Sequence, residues 1–210
     1  MPDMKTIVFQ GDSITDGERN RNRDHYMGSG YVTMTAGAIA VDYPGQYQFF
    51  NRGISGNRSV DMYARIKKDL LNLKPDILTV LIGVNDVWHE FSSDNGISAP
   101  KFEKILELFL TEVLEELPEI RIFLLEPFVL NGSATELHFD AFQREVFLRA
   151  DACQRVAQRL NIPYIPLQKK IEALASSTFN EYVLHDGVHP TCAGHQLISR
   201  ELYKVLKEVL

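Results

Sequence analysis

Short runs of apolar and β-branched residues alternate with longer segments of helical period along the whole 210-residue chain. That alternation predicts βα units built around a parallel sheet. Five strands are expected, at Lys5–Gln10, Gln46–Asn51, Asp76–Leu81, Arg121–Glu126 and Tyr164–Pro166. Three contain the near-continuous apolar runs TIVF, ILTVLI and IFLLE, which suit strands covered by helices on both faces. Helices are expected at Tyr31–Val41, Val60–Leu73, Pro100–Leu117, Phe139–Leu160 and Thr191–Leu210. In the last of these Leu197, Ile198, Leu202, Val205 and Leu206 form one apolar stripe that closes the domain. Pro44-Gly45, Lys74-Pro75, Pro118 and Pro163 punctuate the breaks before the second to fifth strands. The pattern predicts one α/β domain over residues 1–210, with no internal repeat.

Two segments fit neither period. Gly17–Gly30 is polar and bounded by glycines, Trp88–Pro100 is similar, and both follow strands. In open α/β sheets the loops at the carboxyl ends of strands hold ligands, so the chemistry is expected there.

Composition narrows the partners. With 45% hydrophobic and 24% charged residues the chain matches an ordinary globular protein. Its 22 Lys and Arg against 28 Asp and Glu give net −6, a poor basis for neutralising phosphates, so nucleic acid is not expected as a partner. No stretch approaches the ~20 apolar residues of a membrane span. The N-terminal MPDMKTIVFQGDS has neither a secretory apolar core nor a cleavage site, so a cytoplasmic location is expected. Cys153 and Cys192 suit a reducing compartment and are expected to be buried thiols.

Immediately after the first strand comes Gly11-Asp12-Ser13. A serine there sits near a helix start whose unpaired N–H groups stabilise negative charge, which suits a nucleophile, although a serine in this place also commonly caps a helix. Asp186-Gly187-Val188-His189-Pro190 supplies what such a serine needs. Its hydroxyl requires an imidazole to take the proton, and the imidazole requires a carboxylate to fix its tautomer and stabilise its cation. Asn85, in Gly83-Val84-Asn85-Asp86 after the third strand, offers a side-chain amide to an oxyanion, or else forms a turn. Gly53, after the second strand, lets backbone approach a ligand closely. His185, His189, Cys192 and His195 are four potential ligands within eleven residues, but their spacings match no recognised zinc motif. No metal or cofactor is expected, and His195 reads as a packed or capping helix residue.

Taken together, GDS, the glycine of NRGISGN, GVND and DGVH resemble the four blocks of the SGNH hydrolases, the GDSL esterase and lipase family, over essentially the whole chain. The first block departs only in reading GDSI, which keeps an apolar side chain. The resemblance implies a flavodoxin-like three-layer α/β/α sandwich with a central parallel sheet of about five strands. It implies Ser13 as nucleophile, His189 as base, Asp186 as its partner, and an oxyanion hole made by the Ser13 and Gly53 N–H groups and the Asn85 side chain. Gly30-Tyr31-Val32, Gly53–Asn57, Val84–Trp88 and His189–His195 are further similar to intracellular acetylxylan esterases, which implies an acetylated sugar as substrate and assembly into homo-oligomers. Asp12 and Trp88 are candidate substrate contacts; Trp88, the only tryptophan, could stack on a sugar or anchor a core or interface. Two rival functions are a lysophospholipase or thioesterase, and a non-catalytic carbohydrate-binding module on the same fold.

Overall fold

The computed structural model describes residues 4–210. All five expected strands form: β1 (Lys5–Gly11), β2 (Tyr47–Asn51), β3 (Ile77–Leu81), β4 (Arg121–Leu125) and β5 (Tyr164–Ile165). They make one sheet in the order β2-β1-β3-β4-β5, parallel throughout, which is the flavodoxin-like winding. Successive side chains point to opposite faces, so Ile7 and Phe9 of β1 enter one core and Val8 enters the other. Every residue of β3 is buried, the reason it reads as an unbroken apolar run.

Among the described residues ten α-helices surround the sheet: α1 (Ser13–Asp16), α2 (Tyr31–Asp42), α3 (Ser59–Ala64), α4 (Ile66–Asp69), α5 (Val84–Ser93), α6 (Ala99–Glu116), α7 (Phe139–Arg159), α8 (Gln168–Ser176), α9 (Asn180–Val183) and α10 (Cys192–Leu206). Ile39 of α2, Ile171 of α8 and Ile198 of α10 pack into the core on one face. Met62 of α3, Ile66 of α4 and Phe109 of α6 fill the other. With helices on both faces, the architecture is the expected three-layer sandwich.

Four expectations change. The single helix at Val60–Leu73 is α3, α4 and a 3₁₀ turn at Leu71–Leu73. The break falls at Arg65, whose φ of −111° and ψ of 11° leave helical geometry and whose guanidinium donates to the Gly11 and Arg52 carbonyls. Much of the expected loop at Trp88–Pro100 is helical, because Val84, Val87, Trp88 and Phe91 fall at spacings of three, one and three and give α5 an apolar stripe. Helix α8 was absent from the predicted set although Ile171, Leu174 and Ala175 carry the same period. Cys153 is buried as expected, but Cys192 is exposed at the first position of α10. Among the described residues no helix is long and apolar enough to cross a membrane.

Candidate active site

The chain reverses direction across the sheet between β1 and β3, and residues following these two strands meet there. Ser13 is the first residue of α1, directly beyond β1, and Asp12 caps that helix by accepting from the Ile14 N–H at 3.0 Å. As a first helical residue Ser13 has no intrahelical acceptor for its own N–H. From the far end of the chain, His189 brings Nε2 to 2.9 Å from Ser13 Oγ. Its Nδ1 lies 2.7 Å from Asp186 Oδ2, while Asp186 Oδ1 accepts from the N–H groups of Val188 at 2.9 Å and His189 at 2.7 Å. The loop that carries them is pinned by a bridge between Leu184 and Pro190 and by the His185 N–H donating to the His189 carbonyl.

The electrostatics follow from these contacts. The hydrogen bond to Asp186 is the main reason the His189 pKa rises above 6.5, and it outweighs desolvation of the imidazolium. Burial pulls the Asp186 carboxyl upward, but the hydrogen bonds from the His189 ring and from the two backbone N–H groups hold it well below the ordinary carboxylate range. Asp12 is 1% exposed and burial pushes its pKa up to about 7, against the Ile14 N–H and the nearby His189. Its side chain serves as the cap of the helix that begins with Ser13.

Asn85, in the first turn of α5, donates one amide hydrogen to the Asn57 carbonyl at 3.2 Å. An amide carries two donors, so the second remains. The expected Gly53 donor is engaged: its N–H bonds Asn51 Oδ1 at 2.9 Å. Gly53 is a glycine for space, since a Cβ there would lie 2.3 Å from the Asp16 nitrogen. Three residues on, Gly56 is exposed with φ of +81° inside the turn closed by the Asn57 N–H and the Ile54 carbonyl, and it is the glycine next to the residue that Asn85 grips.

Asn51 carries no sequence signal beyond its place at the end of β2, and it was not among the expected site residues. Fully buried, it donates through Nδ2 to the carbonyls of Thr15, Asp16 and Met27, tying β2, α1 and the following loop together. Trp88 is half-buried, with its ring 5.6 Å from that of His189. It also lines a cavity of about 160 Å³ with Phe91, Phe142 and Leu137.

The histidine cluster separates. His195 Nδ1 accepts the Tyr31 N–H at 3.2 Å, capping α2 from α10, and burial with the nearby His189 lowers its pKa to about 4. His185 is exposed and stacks on His189 with ring centroids 5.7 Å apart. Ligand atoms of His185, Asp186 and His189 lie within 4.8 Å of one another, but Asp186 and His189 direct theirs at each other and at Ser13. Cys192 and His195 stand outside that group.

A serine, an imidazole and a carboxylate in one hydrogen-bonded line at the carboxyl edge of a parallel sheet form the arrangement of a serine-dependent hydrolase. The chain belongs to the GDSL-like lipase/acylhydrolase family, whose model matches residues 9–197, and is a carboxylic ester hydrolase. It is 29% identical to an acetylxylan esterase of Geobacillus stearothermophilus over 204 residues, covering 92% of this chain and 90% of the relative. A crystal structure of that enzyme superposes with a TM-score of 0.83 at 28% identity, covering 95% and 93% of the two chains. The crystal structure of a Parabacteroides merdae protein described as a GDSL-like lipase gives a TM-score of 0.91 at 33% identity and covers 98% of both chains.

Proposed function

We propose that this esterase removes acetyl groups from carbohydrate alcohols in the cytoplasm, through an acyl-enzyme formed on Ser13. The observation that carries the reading is the line from Ser13 Oγ to His189 Nε2 at 2.9 Å and from His189 Nδ1 to Asp186 at 2.7 Å. His189 Nε2 takes the hydroxyl proton as Ser13 Oγ attacks the ester carbonyl, and Asp186 stabilises the imidazolium that results. The Ser13 N–H, the free amide hydrogen of Asn85 and, in place of Gly53, the Gly56 N–H receive the oxyanion. Collapse breaks the bond to the sugar oxygen, which leaves with the proton from His189. Water then repeats the sequence with His189 as base, releasing acetate and restoring Ser13. Two solved structures of the Geobacillus relative carry substitutions of a serine and an aspartate and are described as catalytic mutants, which supports the same roles here.

The acetyl and sugar parts of the reading rest on the likeness to that acetylxylan esterase and on Trp88. A cavity of about 160 Å³ beside Trp88 is smaller than the roughly 300–1,000 Å³ of sites that enclose drug-sized ligands. The lysophospholipase reading draws its support from the exposed Phe91 and Leu137 at the rim of that cavity. Intact-mass analysis after treatment with a serine-directed phosphonate should find one adduct, on Ser13, formed far more slowly in His189→Ala. Acetate should also be released from acetylated xylo-oligosaccharides. An adduct on a different serine, or equal labelling of the His189 variant, sinks the assignment.

A further inference from the structure

Within a chain of net charge −6, one cavity gathers positive charge. It encloses about 370 Å³ behind the turn that follows β2 and is lined by Arg19, Arg21, Arg52, Arg65 and Lys68 against only two carboxylates, Asp24 and Asp69. Arg52 pairs with Asp24 at 2.5 Å, Arg65 with Asp69 at 2.6 Å, and Arg21 with Asp16 at 3.1 Å. Among the described residues, Arg19 and Lys68 meet no carboxylate within salt-bridge distance. Burial, followed by repulsion from Arg52 and Arg21 that the nearby Asp16 opposes, lowers the Arg19 pKa.

Two of the guanidinium groups are held in place by backbone. Arg19 Nε donates to the Gly53 carbonyl at 2.8 Å, which leaves both of its Nη groups for another acceptor. Arg65 donates through Nη1 to the Arg52 carbonyl at 2.7 Å, to Asp69 and to Gln10, through Nη2 to the Gly11 carbonyl at 3.2 Å and through Nε to Asn57, so it builds the wall of the cavity and lends it charge. A planar fork fixed as that of Arg19 is loses little side-chain freedom when it takes a carboxylate or phosphate. Lys68 adds a mobile point charge at the exposed edge. We propose that this cavity is a second binding site, separate from Ser13, for one small oxyanion group, a phosphate or a carboxylate, gripped by Arg19 and Lys68 within the positive field of the paired arginines. A half-open pit of this size in an otherwise acidic molecule fits a single anionic group and not a nucleic-acid backbone. Arg19 and Arg65 both bond the backbone of residues 52–53, so a bound anion would also stiffen the turn that leads to Gly56.

Isothermal titration of the full chain at low ionic strength tests the site, with inorganic phosphate in one arm and glucuronate in the other. Saturable binding of at least one anion is expected, with Kd raised about tenfold or more in Arg19→Gln and in Lys68→Gln, since each loses a charge-assisted contact. Neither substitution orphans a carboxylate, and thermal unfolding of each variant confirms that lost binding is not lost folding. If Arg19→Gln melts early, Lys68→Gln alone carries the comparison. Binding of phosphate alone identifies a free or esterified phosphate as the natural group, and binding of glucuronate identifies an acidic sugar. No saturable binding of either anion, or unchanged affinity in the folded variants, overturns the proposal. The Ser13 labelling experiment reads the esterase assignment independently of these outcomes.

Discussion

Asn85 spends one amide hydrogen on the Asn57 carbonyl and keeps the other, so its remaining donor is oriented before any substrate arrives. Asn85→Ala should therefore lower kcat by roughly 10² to 10³ with little change in KM, as expected for a donor that matters where charge develops. Steady-state kinetics on p-nitrophenyl acetate would read it; a raised KM with kcat intact would make Asn85 a binding or turn residue. In the proposed mechanism Asp186 governs the pH response. His189 acts as a base only when neutral, and the hydrogen bond to Asp186 is the largest influence raising its pKa above 6.5. Activity should accordingly rise with pH along an acid limb centred above 6.5. In Asp186→Asn that limb should shift to lower pH, because the imidazolium loses its anionic partner, while the plateau falls. An acid limb that stays in place in the variant would assign it to another group.

At the level of elements, side chains from one segment terminate or tie another. His195 of α10 caps α2, whose own cap residue, Gly30, offers no side chain. Asp86 of α5, fully buried with its pKa pushed up to about 6 by burial against the Ser59 hydrogen bonds, accepts from the N–H and hydroxyl of Ser59 at the start of α3. Asn51 is the most connected of these ties. Replacing it by Leu removes the side-chain donor of the Thr15 and Met27 carbonyls, leaves the Asp16 carbonyl only the Arg19 N–H, and frees the Gly53 N–H. Asn51→Leu should cost on the order of 3 kcal/mol in stability, measured by denaturant unfolding. It should also lower kcat, because α1 carries Ser13. Unchanged stability would show that water satisfies these groups.

For the whole molecule, burial on both faces of the sheet supplies the stability, while chemistry gathers at one edge. What lies around that edge decides which esters fit. Trp88 stands against His189 and the neighbouring cavity is about 160 Å³. A long acyl chain gains about 0.8 kcal/mol for each methylene it buries, and a short pocket cannot supply that area. A series of p-nitrophenyl esters should show kcat/KM falling steeply from acetate to octanoate. A profile rising toward octanoate would instead favour the lysophospholipase reading and give the exposed Phe91 and Leu137 a role as an acyl-binding rim.

Much of this was legible in the chain. Periodicity located every strand and most of the long helices, because a strand such as β3, buried on both faces, must be apolar throughout and an amphipathic helix must carry a stripe. The blocks holding Ser13, Asn85, Asp186 and His189 were readable because each is local, a few residues at the end of a strand or the start of a helix. Local pattern fell short wherever a contact crosses the chain. Nothing near Asn51 indicates that its amide reaches the Thr15, Asp16 and Met27 carbonyls, and nothing around Arg65 tells that its guanidinium reaches Gly11. The cations of the arginine cavity lie as far apart as Arg19 and Lys68 in sequence, and only the packing of α3 and α4 beside the loop after α1 assembles them. Hydrophobic period is a property of each segment by itself and is written in order along the chain. Hydrogen-bond saturation and the meeting of charges belong to pairs of distant segments, so tertiary structure alone decides them.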